Sequence, residues 1–141
     1  MKTFAVNVHG MFFLTKAAIP HMKPGSSIIN MSSLSALLGS PSQLDDSASK
    51  GAVLSFTRAL SSQIVRSRGI RVNAIAAGSI ETPGTGAGGE VGKSTLGTGT
   101  PMGRAGVPGE VAACMVFLAS PESSYISGST MHPNGGMPTN S

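Results

Sequence analysis

The sequence predicts an α/β fold in which a small parallel sheet is covered by helices on both faces. Two short apolar stretches, Ser27 to Met31 and Arg71 to Gly78, have the length and the flanking turn residues of buried strands. A long helical pattern separates them, and a helix connecting two buried strands is typical of the right-handed parallel unit. The 141 residues are enough for one hydrophobic core and too few for two, so we expect a single domain over residues 1–141.

Two helices flank the first strand. Before it, apolar side chains recur at helical spacing and Pro24-Gly25 stops the pattern, which predicts a helix from Thr3 to Met22. After it, a second helix begins near Asp45 or Ser47, either of which could cap it. The buried face of this helix is expected to be Val53, Phe56, Leu60 and Ile64. Its C-terminus is expected at Arg66, Arg68 and Gly69.

A glycine-rich stretch, a third helix and a weak strand follow the second strand. The composition of residues 84–100 predicts a flexible loop. Pro108 and Glu110 open the helix and Pro121 ends it. The last strand is expected at Gly128 to Asn134, where Pro133 indicates a sheet edge. The buried face of the helix is expected to be Val111, Met115 and Leu118.

The glycine-rich loop contains one sequence that matches a nucleotide-binding motif and one that nearly matches another. Gly84, Gly86 and Gly89 satisfy GxGxxG, but no strand leads straight into them and no helical pattern follows. Gly92-Lys93-Ser94 matches the end of a phosphate loop, but its first glycine would have to stand where Ala87 is. We therefore expect a mobile loop here and no phosphate cradle.

Composition and charge limit the classes of partner. Hydrophobic residues make up 40% and charged residues 11%, as in a globular protein. The net charge is +4, but the basic residues are scattered without interleaved aromatics, so we expect no nucleic-acid partner. Without a signal peptide or an apolar run of about 20 residues, we expect no membrane association and a cytoplasmic location. Cys114 is expected to be a buried small hydrophobe, and no histidine spacing indicates a metal site.

Six segments of the chain occur in one order: NVHG from Asn7, INMSS at the first strand end, SASKGAVLSFTRAL, GIRVNAIAAGSIETP, PMGRAGVPGEVAACMVFLAS and YISGSTMHPNGG. These segments, in this order, resemble the C-terminal half of proteins of the short-chain dehydrogenase/reductase (SDR) family. The resemblance covers nearly the whole chain except the glycine-rich loop. LDDSASKGA and HPNGG look most like the glucose/ribitol dehydrogenase branch. The resemblance implies a partial Rossmann-type three-layer sandwich, without its N-terminal strands, and hydride transfer between NAD or NADP and an alcohol or carbonyl.

The resemblance also implies roles for individual residues. Ser33 would hydrogen-bond the substrate oxygen, and Lys50 would bind the nicotinamide ribose and lower the pKa of the proton donor. Asn7 would hold a water in the proton relay. Ile80 and Thr82 would line the nicotinamide and its amide. The glycine-rich loop, residues 84–100, would cover the substrate.

Two departures from the family pattern bear on activity. The family's catalytic tyrosine aligns with Asp46, and aspartate has an ordinary pKa of about 3.9 against about 10 for tyrosine, so it has no proton to give at neutral pH. A simpler interpretation makes Asp46 a helix-start aspartate paired with Lys50. Tyr125, the only tyrosine, lies in a different segment. The family's N-terminal half, with its glycine-rich dinucleotide turn, has no counterpart, which would leave Ser27 to Met31 as an open apolar edge.

Two functional hypotheses follow from this pattern. The first is a degenerate SDR oxidoreductase for small alcohols or carbonyl compounds. The second is a non-catalytic interaction module, in which the two long helices, the family's dimer interface, pair with a second copy or with a full-length relative. A mixed oligomer would support the second hypothesis. An upstream reading frame encoding the glycine-rich turn would favour the first.

Overall fold

The N-terminal part of the chain is one continuous helical segment. The computed structural model of the protein describes residues 2–83 and 95–139. The segment runs through α1 (Lys2–Phe4), a π-helical stretch (Ala5–Gly10), α2 (Met11–Ala18) and a 3-10 turn (Ile19–His21). The predicted helix from Thr3 to Met22 is therefore confirmed. Below, residues 2–21 are called the N-terminal helical segment.

Three strands form the sheet in the order β1-β2-β3. They are β1 (Ser27–Ser33), β2 (Arg71–Ala77) and β3 (Thr130–Met131), and both pairings are parallel. The predicted α/β class with a parallel sheet is confirmed. The expected strand from 128 to 134 is shorter than predicted, because Gly128 has a φ of 76°, outside the extended region, and Pro133 has no N–H to donate.

The crossover between β1 and β2 contains α3 (Ser35–Leu38) and the long helix α4 (Leu44–Arg68). The helix ends as predicted at Gly69, which adopts a left-handed conformation with φ 63°. The predicted apolar face is also confirmed, since Val53, Leu60 and Ile64 are buried and Phe56 is half-buried.

The start of α4 differs from the expectation. The helix begins at Leu44, after Gln43, and no side chain caps it. The prediction that Asp45 or Ser47 is the cap was wrong, because both residues already lie within the first turn. Instead, Asp45 accepts a hydrogen bond from Thr3 Oγ1, and Ser47 Oγ accepts one from the backbone N–H of Ser40 at 3.1 Å.

The helix α5 (Pro108–Ala119) packs on the opposite face of the sheet from α4. The side chains of alternate residues of β2 point to opposite faces of the sheet, so the core has two clusters. One contains Leu60, Ile64, Ile70 and Val72, and the other contains Ile75, Val111 and Leu118. The two clusters make the sheet the middle of three layers, as the resemblance implied.

A buried arginine ties α5 to the sheet. Arg71, at the start of β2, is 8% exposed and donates to Leu118 O at 2.9 Å, to Ser120 O at 3.0 Å and to Ser123 Oγ at 2.9 Å. The carbonyls at a helix C-terminus carry partial negative charge, so a cation is stabilised there. This contact fixes the end of α5 and so orients the helix whose start reaches the strand ends.

Cys114 differs from the prediction of a buried residue. Its side chain, on α5, is only half-buried, and Sγ donates to Glu110 O at 3.5 Å. Across residues 2–83 and 95–139, no helix combines the length and the apolarity that a bilayer span requires. Most of the predicted loop at 84–100 lies outside the described residues, and its end from 95 to 100 forms turns.

Candidate functional site

A cavity of about 660 Å³ lies where β1 and β2 end and α5 begins. Ligands of open α/β sheets bind at this carboxyl edge, and the volume is within the usual range of about 300–1,000 Å³ for small-molecule sites. We call it the strand-end pocket. It brings together Ser33, Lys50, Ile80 and Thr82, which are four of the predicted site residues.

Ser33 presents its hydroxyl group at the end of β1. Its Oγ accepts hydrogen bonds from the backbone N–H of Ser35 at 3.2 Å and from Ser35 Oγ at 2.9 Å. No acceptor for the Ser33 proton is found among the described residues. A hydroxyl that accepts two hydrogen bonds in this way is oriented and retains its own proton to donate.

Lys50 lies across the open edge of the sheet. Ser26 O and Leu34 N form hydrogen bonds with β2. In a parallel ladder alternate residues of a strand bond to the same neighbour, so the carbonyl of Met31 points away from β2. Lys50 Nζ donates to this carbonyl at 3.2 Å. An ammonium group has three N–H donors, so two remain for a ligand in the pocket. Ser32 Oγ, which donates to Lys50 O at 2.9 Å, holds this turn of α4 against β1.

Asp46 and Asn7 form a separate contact between α4 and the N-terminal helical segment. Asn7 Nδ2 donates to Asp46 Oδ1 at 3.0 Å and to Ser49 Oγ at 2.9 Å. Ser49, which is fully buried, in turn donates to Asp46 O at 2.8 Å. Neither Asn7 nor Asp46 lines the strand-end pocket. The structure therefore divides the predicted site into the pocket and this Asn7–Asp46 contact.

The expected pairing of Asp46 with Lys50 is not formed. Among the described residues, Arg104 and Glu110 form an ion pair within 4.0 Å, whereas Asp46 and Lys50 do not. The two side chains stand one helical turn apart, but Lys50 extends to Met31 O while Asp46 turns to Asn7. Asp46 thus has a neutral donor as its partner, and the interpretation as a lysine-paired aspartate was wrong.

Ile80 and Thr82 form the wall of the pocket that follows the end of β2 in the chain. Ile80 pairs in parallel with Gly106 through an isolated bridge, in which Gly106 N donates to Ser79 O at 2.9 Å and Glu81 N donates to Gly106 O at 2.8 Å. The chain turn before this wall is closely packed, because a Cβ at Gly78 would lie 2.8 Å from the Cα of Asn134.

The apolar side of the pocket comes from the first turns of α5, and sequence reasoning had not assigned it to the site. Val111 and Met115 line the cavity. Their i, i+4 spacing predicted an apolar helix face, but not that these two residues line a pocket. The carbonyl of Met31 was also missed, since a backbone acceptor leaves no signal in the sequence.

The lining fits a nicotinamide, which is a flat ring with one polar amide. The strand-end pocket combines apolar side chains with the hydroxyl of Ser33 and the ammonium of Lys50. Tyr125 is fully exposed and does not line the pocket. Within the described part of the chain, no group of three or more His, Cys, Asp or Glu residues is arranged to hold a metal ion.

The sheet order, the crossover helix and the strand-end pocket define a Rossmann-like α/β protein of the SDR class. Residues 1–138 match the family model described as enoyl-(acyl carrier protein) reductase, and the chain belongs to the SDR family. It is 46% identical over 136 residues to the glucose and ribitol dehydrogenase of Daucus carota, covering 96% of this chain and 46% of that protein. It is 48% identical over 141 residues to the chloroplastic NADPH-dependent aldehyde reductase 1 of Arabidopsis thaliana, covering 99% and 49%.

Solved structures agree with this assignment. A short-chain dehydrogenase/reductase of the glucose/ribitol dehydrogenase type from Brucella melitensis superposes with a TM-score of 0.90 at 38% identity. The superposition covers 98% of this chain and 56% of that one. The chain therefore spans about half the length of the curated relatives and solved structures it matches.

Proposed function

We propose that this chain carries the nicotinamide and substrate end of an NAD(P)-dependent oxidoreductase site for small alcohols or carbonyl compounds, and that Asp46 leaves the site without an efficient proton donor. The observation that carries the proposal is the strand-end pocket, where Ser33, Lys50, Ile80 and Thr82 converge. The names of the carrot and Arabidopsis relatives, a glucose and ribitol dehydrogenase and an NADPH-dependent aldehyde reductase, support the same substrate class.

Each residue of the pocket has a task that its geometry allows. When bound, the dinucleotide supplies or accepts the hydride at the substrate carbon. Ser33 donates its uncommitted proton to the substrate oxygen and so fixes the reacting carbon. Lys50 uses its two remaining N–H groups for the ribose hydroxyls. Val111 and Met115 exclude water from one side, which strengthens these polar contacts.

Proton transfer is the step of the reaction for which the described part of the pocket offers no dedicated residue. A carbonyl oxygen that receives a hydride also needs a proton, and a positioned general acid contributes about 10²–10⁴-fold to such a rate. Asp46 is held by Asn7 Nδ2 at 3.0 Å and does not line the pocket. Ser33 cannot replace a dedicated acid, because its hydroxyl has no neighbouring base to resupply the proton.

Calorimetric titration of the purified 141-residue chain with NADPH and with NADH tests the proposal. We expect one of them to bind with a Kd of about 1–100 μM. Lys50→Met removes the ribose donors and should weaken binding about tenfold or more. Lys23→Met, at an exposed lysine before β1, is the matched control and should leave the Kd unchanged. If neither cofactor binds to a folded chain, the oxidoreductase proposal is rejected for this chain.

The second candidate function, an interaction module, rests on the outer surface of the N-terminal helical segment. Val6, Phe13 and Leu14 are 64%, 64% and 72% exposed. An apolar groove of about 420 Å³ lies beside them, between this segment and α4, and is lined by Phe12, Ile19, Phe56, Leu60 and Ile64. Exposed apolar residues beside such a groove favour association with a second copy or with a full-length relative.

Sedimentation velocity over a range of concentrations tests this candidate. We expect a dimer that the double variant Phe13→Ser/Leu14→Ser converts to a monomer. Val116→Ser removes an equally exposed apolar side chain, 69% exposed on α5, and should leave the dimer intact. A wild-type chain that stays monomeric both alone and when mixed with a full-length relative contradicts the interaction module.

A further inference from the structure

The pocket wall formed by Ile80 and Thr82 depends on a turn that comes from elsewhere in the chain. Beyond the end of β2, the backbone of residues 79–81 is held by its bridge to Gly106. The two hydrogen bonds of this bridge, at 2.9 and 2.8 Å, involve Ser79 O and Glu81 N. The position of Ile80 in the pocket is therefore set by the position of Gly106.

Gly106 is itself fixed from both sides by one carboxylate. Glu110, in the first turn of α5, receives Arg104 Nη2 on Oε1 at 2.7 Å and Arg104 Nη1 on Oε2 at 3.0 Å. Its Oε2 also accepts from the backbone N–H of Val107 at 2.9 Å. Arg104 adds a bond to Ala105 O at 2.9 Å. Residues 104–107 thus form a turn closed around Glu110.

The side chains of Ile80 and Glu110 both pack closely against Gly106. A Cβ at Gly106 would lie 2.8 Å from Ile80 Cδ1 and 3.3 Å from Glu110 Oε2. Gly106 is therefore close to both the carboxylate of Glu110 and the side chain of Ile80. Ile80 lines both the strand-end pocket and a second cavity of about 330 Å³, and Arg104 and Glu110 line the second cavity.

We propose that Arg104 and Glu110 are positioning residues of the strand-end pocket: their bidentate ion pair fixes Gly106 and thereby holds Ile80 in the place where it contacts the nicotinamide. The link to the nicotinamide rests on the proposed function. The pair is poorly suited to a role in overall stability, since its side chains are 55% and 44% exposed and ion pairs at such sites contribute little. A bidentate arginine–carboxylate pair does, however, specify geometry well.

Native-state amide exchange of the full chain tests the positioning role directly. In Glu110→Gln and Arg104→Gln, we expect exchange at Glu81 and Gly106, the two donors of the bridge, to accelerate about three- to tenfold. The amide of Ala74, which donates to Ser129 O within the sheet, should exchange as in the wild type. Equal acceleration at all three amides, or none at Glu81 and Gly106, overturns the proposal.

NADPH and NADH titrations then test the connection to the site. Glu110→Gln should weaken binding about three- to tenfold, and Arg104→Lys, which keeps the charge but loses the planar fork, should fall between the wild type and Arg104→Gln. Glu122→Gln, at an exposed acid after α5, is the matched control and should bind as the wild type does. Unchanged affinity in Glu110→Gln despite faster exchange at Glu81 overturns the link to the nicotinamide. A wild type that binds neither cofactor rejects the proposed function, and the exchange result still decides whether the pair positions Ile80.

Discussion

At the scale of single residues, Asp46 is the main departure from the pattern of the SDR family. Its carboxylate accepts a hydrogen bond from Asn7, 39 positions earlier in the chain, so the packing of the N-terminal helical segment on α4 holds it outside the strand-end pocket. Ser33, Lys50, Ile80 and Thr82 could be placed in one pocket from the resemblance to the SDR family. The partner of Asp46 could not be predicted, because a contact between two helices far apart in sequence depends on their packing.

Asp46→Tyr should restore proton donation. A tyrosine hydroxyl has a pKa of about 10 and remains protonated at neutral pH, and its ring extends further from α4 than the aspartate side chain does. We expect carbonyl reduction in the presence of saturating cofactor to rise about tenfold to a hundredfold. Steady-state assays with an aldehyde panel provide the measurement. Asp46→Asn, which has no acidic proton, should not raise the rate, and an equal gain in both variants would show that loss of the carboxylate charge, not the tyrosine hydroxyl, is responsible.

Glu110 predicts a pH dependence of stability. Hydrogen bonds from Arg104, followed by that from the Val107 amide, lower the pKa of Glu110 from 4.5 to about 2. Because the folded-state pKa is depressed, the stabilising contribution is present above pH 4.5 and is lost as the pH falls toward 2. Urea unfolding of wild type and Glu110→Gln should differ slightly at pH 6 and converge near pH 2. A difference that grows as the pH falls would contradict this sign.

At the scale of elements, the helices and strands were largely predictable because each carries a regular apolar period. The ends of α4 show the limit of this reasoning. Its C-terminus could be predicted from Gly69, which supplies the left-handed conformation. Its N-terminus could not, because Asp45 and Ser47 form hydrogen bonds with Thr3 and Ser40, which approach only in the folded chain.

Two glycines, one just after a strand and one within a helix, should respond in opposite ways to substitution by alanine. At Gly78, just after β2, an added Cβ would meet the backbone of Asn134 at 2.8 Å, so Gly78→Ala should destabilise the protein by about 1–3 kcal/mol. At Gly51, within α4, nothing outside the helix lies within 4 Å of the added Cβ, so Gly51→Ala should stabilise it by about 0.5–1 kcal/mol. Chemical denaturation measures both. Equal effects would mean that the close approach at Gly78 relaxes freely.

At the scale of the whole molecule, the three layers followed from the sequence, but the composition of the pocket did not. In a parallel strand–helix–strand unit both strands end at the same edge of the sheet, and the fixed hand of the crossover sets the face that the helix covers. The contribution of α5 depends on the Arg71 contact with its C-terminal carbonyls. That contact joins residues 47 and 49 positions apart in the chain, which no periodicity specifies.

Cofactor binding should stabilise the molecule as a whole if the strand-end pocket is the nicotinamide site. A ligand that binds only the folded state, at a free concentration of about 100 times its Kd, raises the free energy of unfolding by about 2.7 kcal/mol. Thermal unfolding with increasing NADPH or NADH should show a rising midpoint, while Lys50→Met should require more ligand for the same rise. A midpoint that rises equally in Lys50→Met would place the ligand elsewhere on the molecule.

The parallel pairing of β1 with β2 has a consequence for synthesis on the ribosome. Ser27 pairs with Arg71, which is translated 44 positions later, from 27 to 71. At about 5–20 residues per second, β1 waits about 2–9 s for its neighbour. During that interval Ile28 and Ile29, which pack against opposite core clusters, lack the buried residues of those clusters, all of which lie later in the chain, from Leu60 onward. The nascent chain should therefore be a client of ribosome-associated chaperones, which hold such segments until α4 and β2 have emerged.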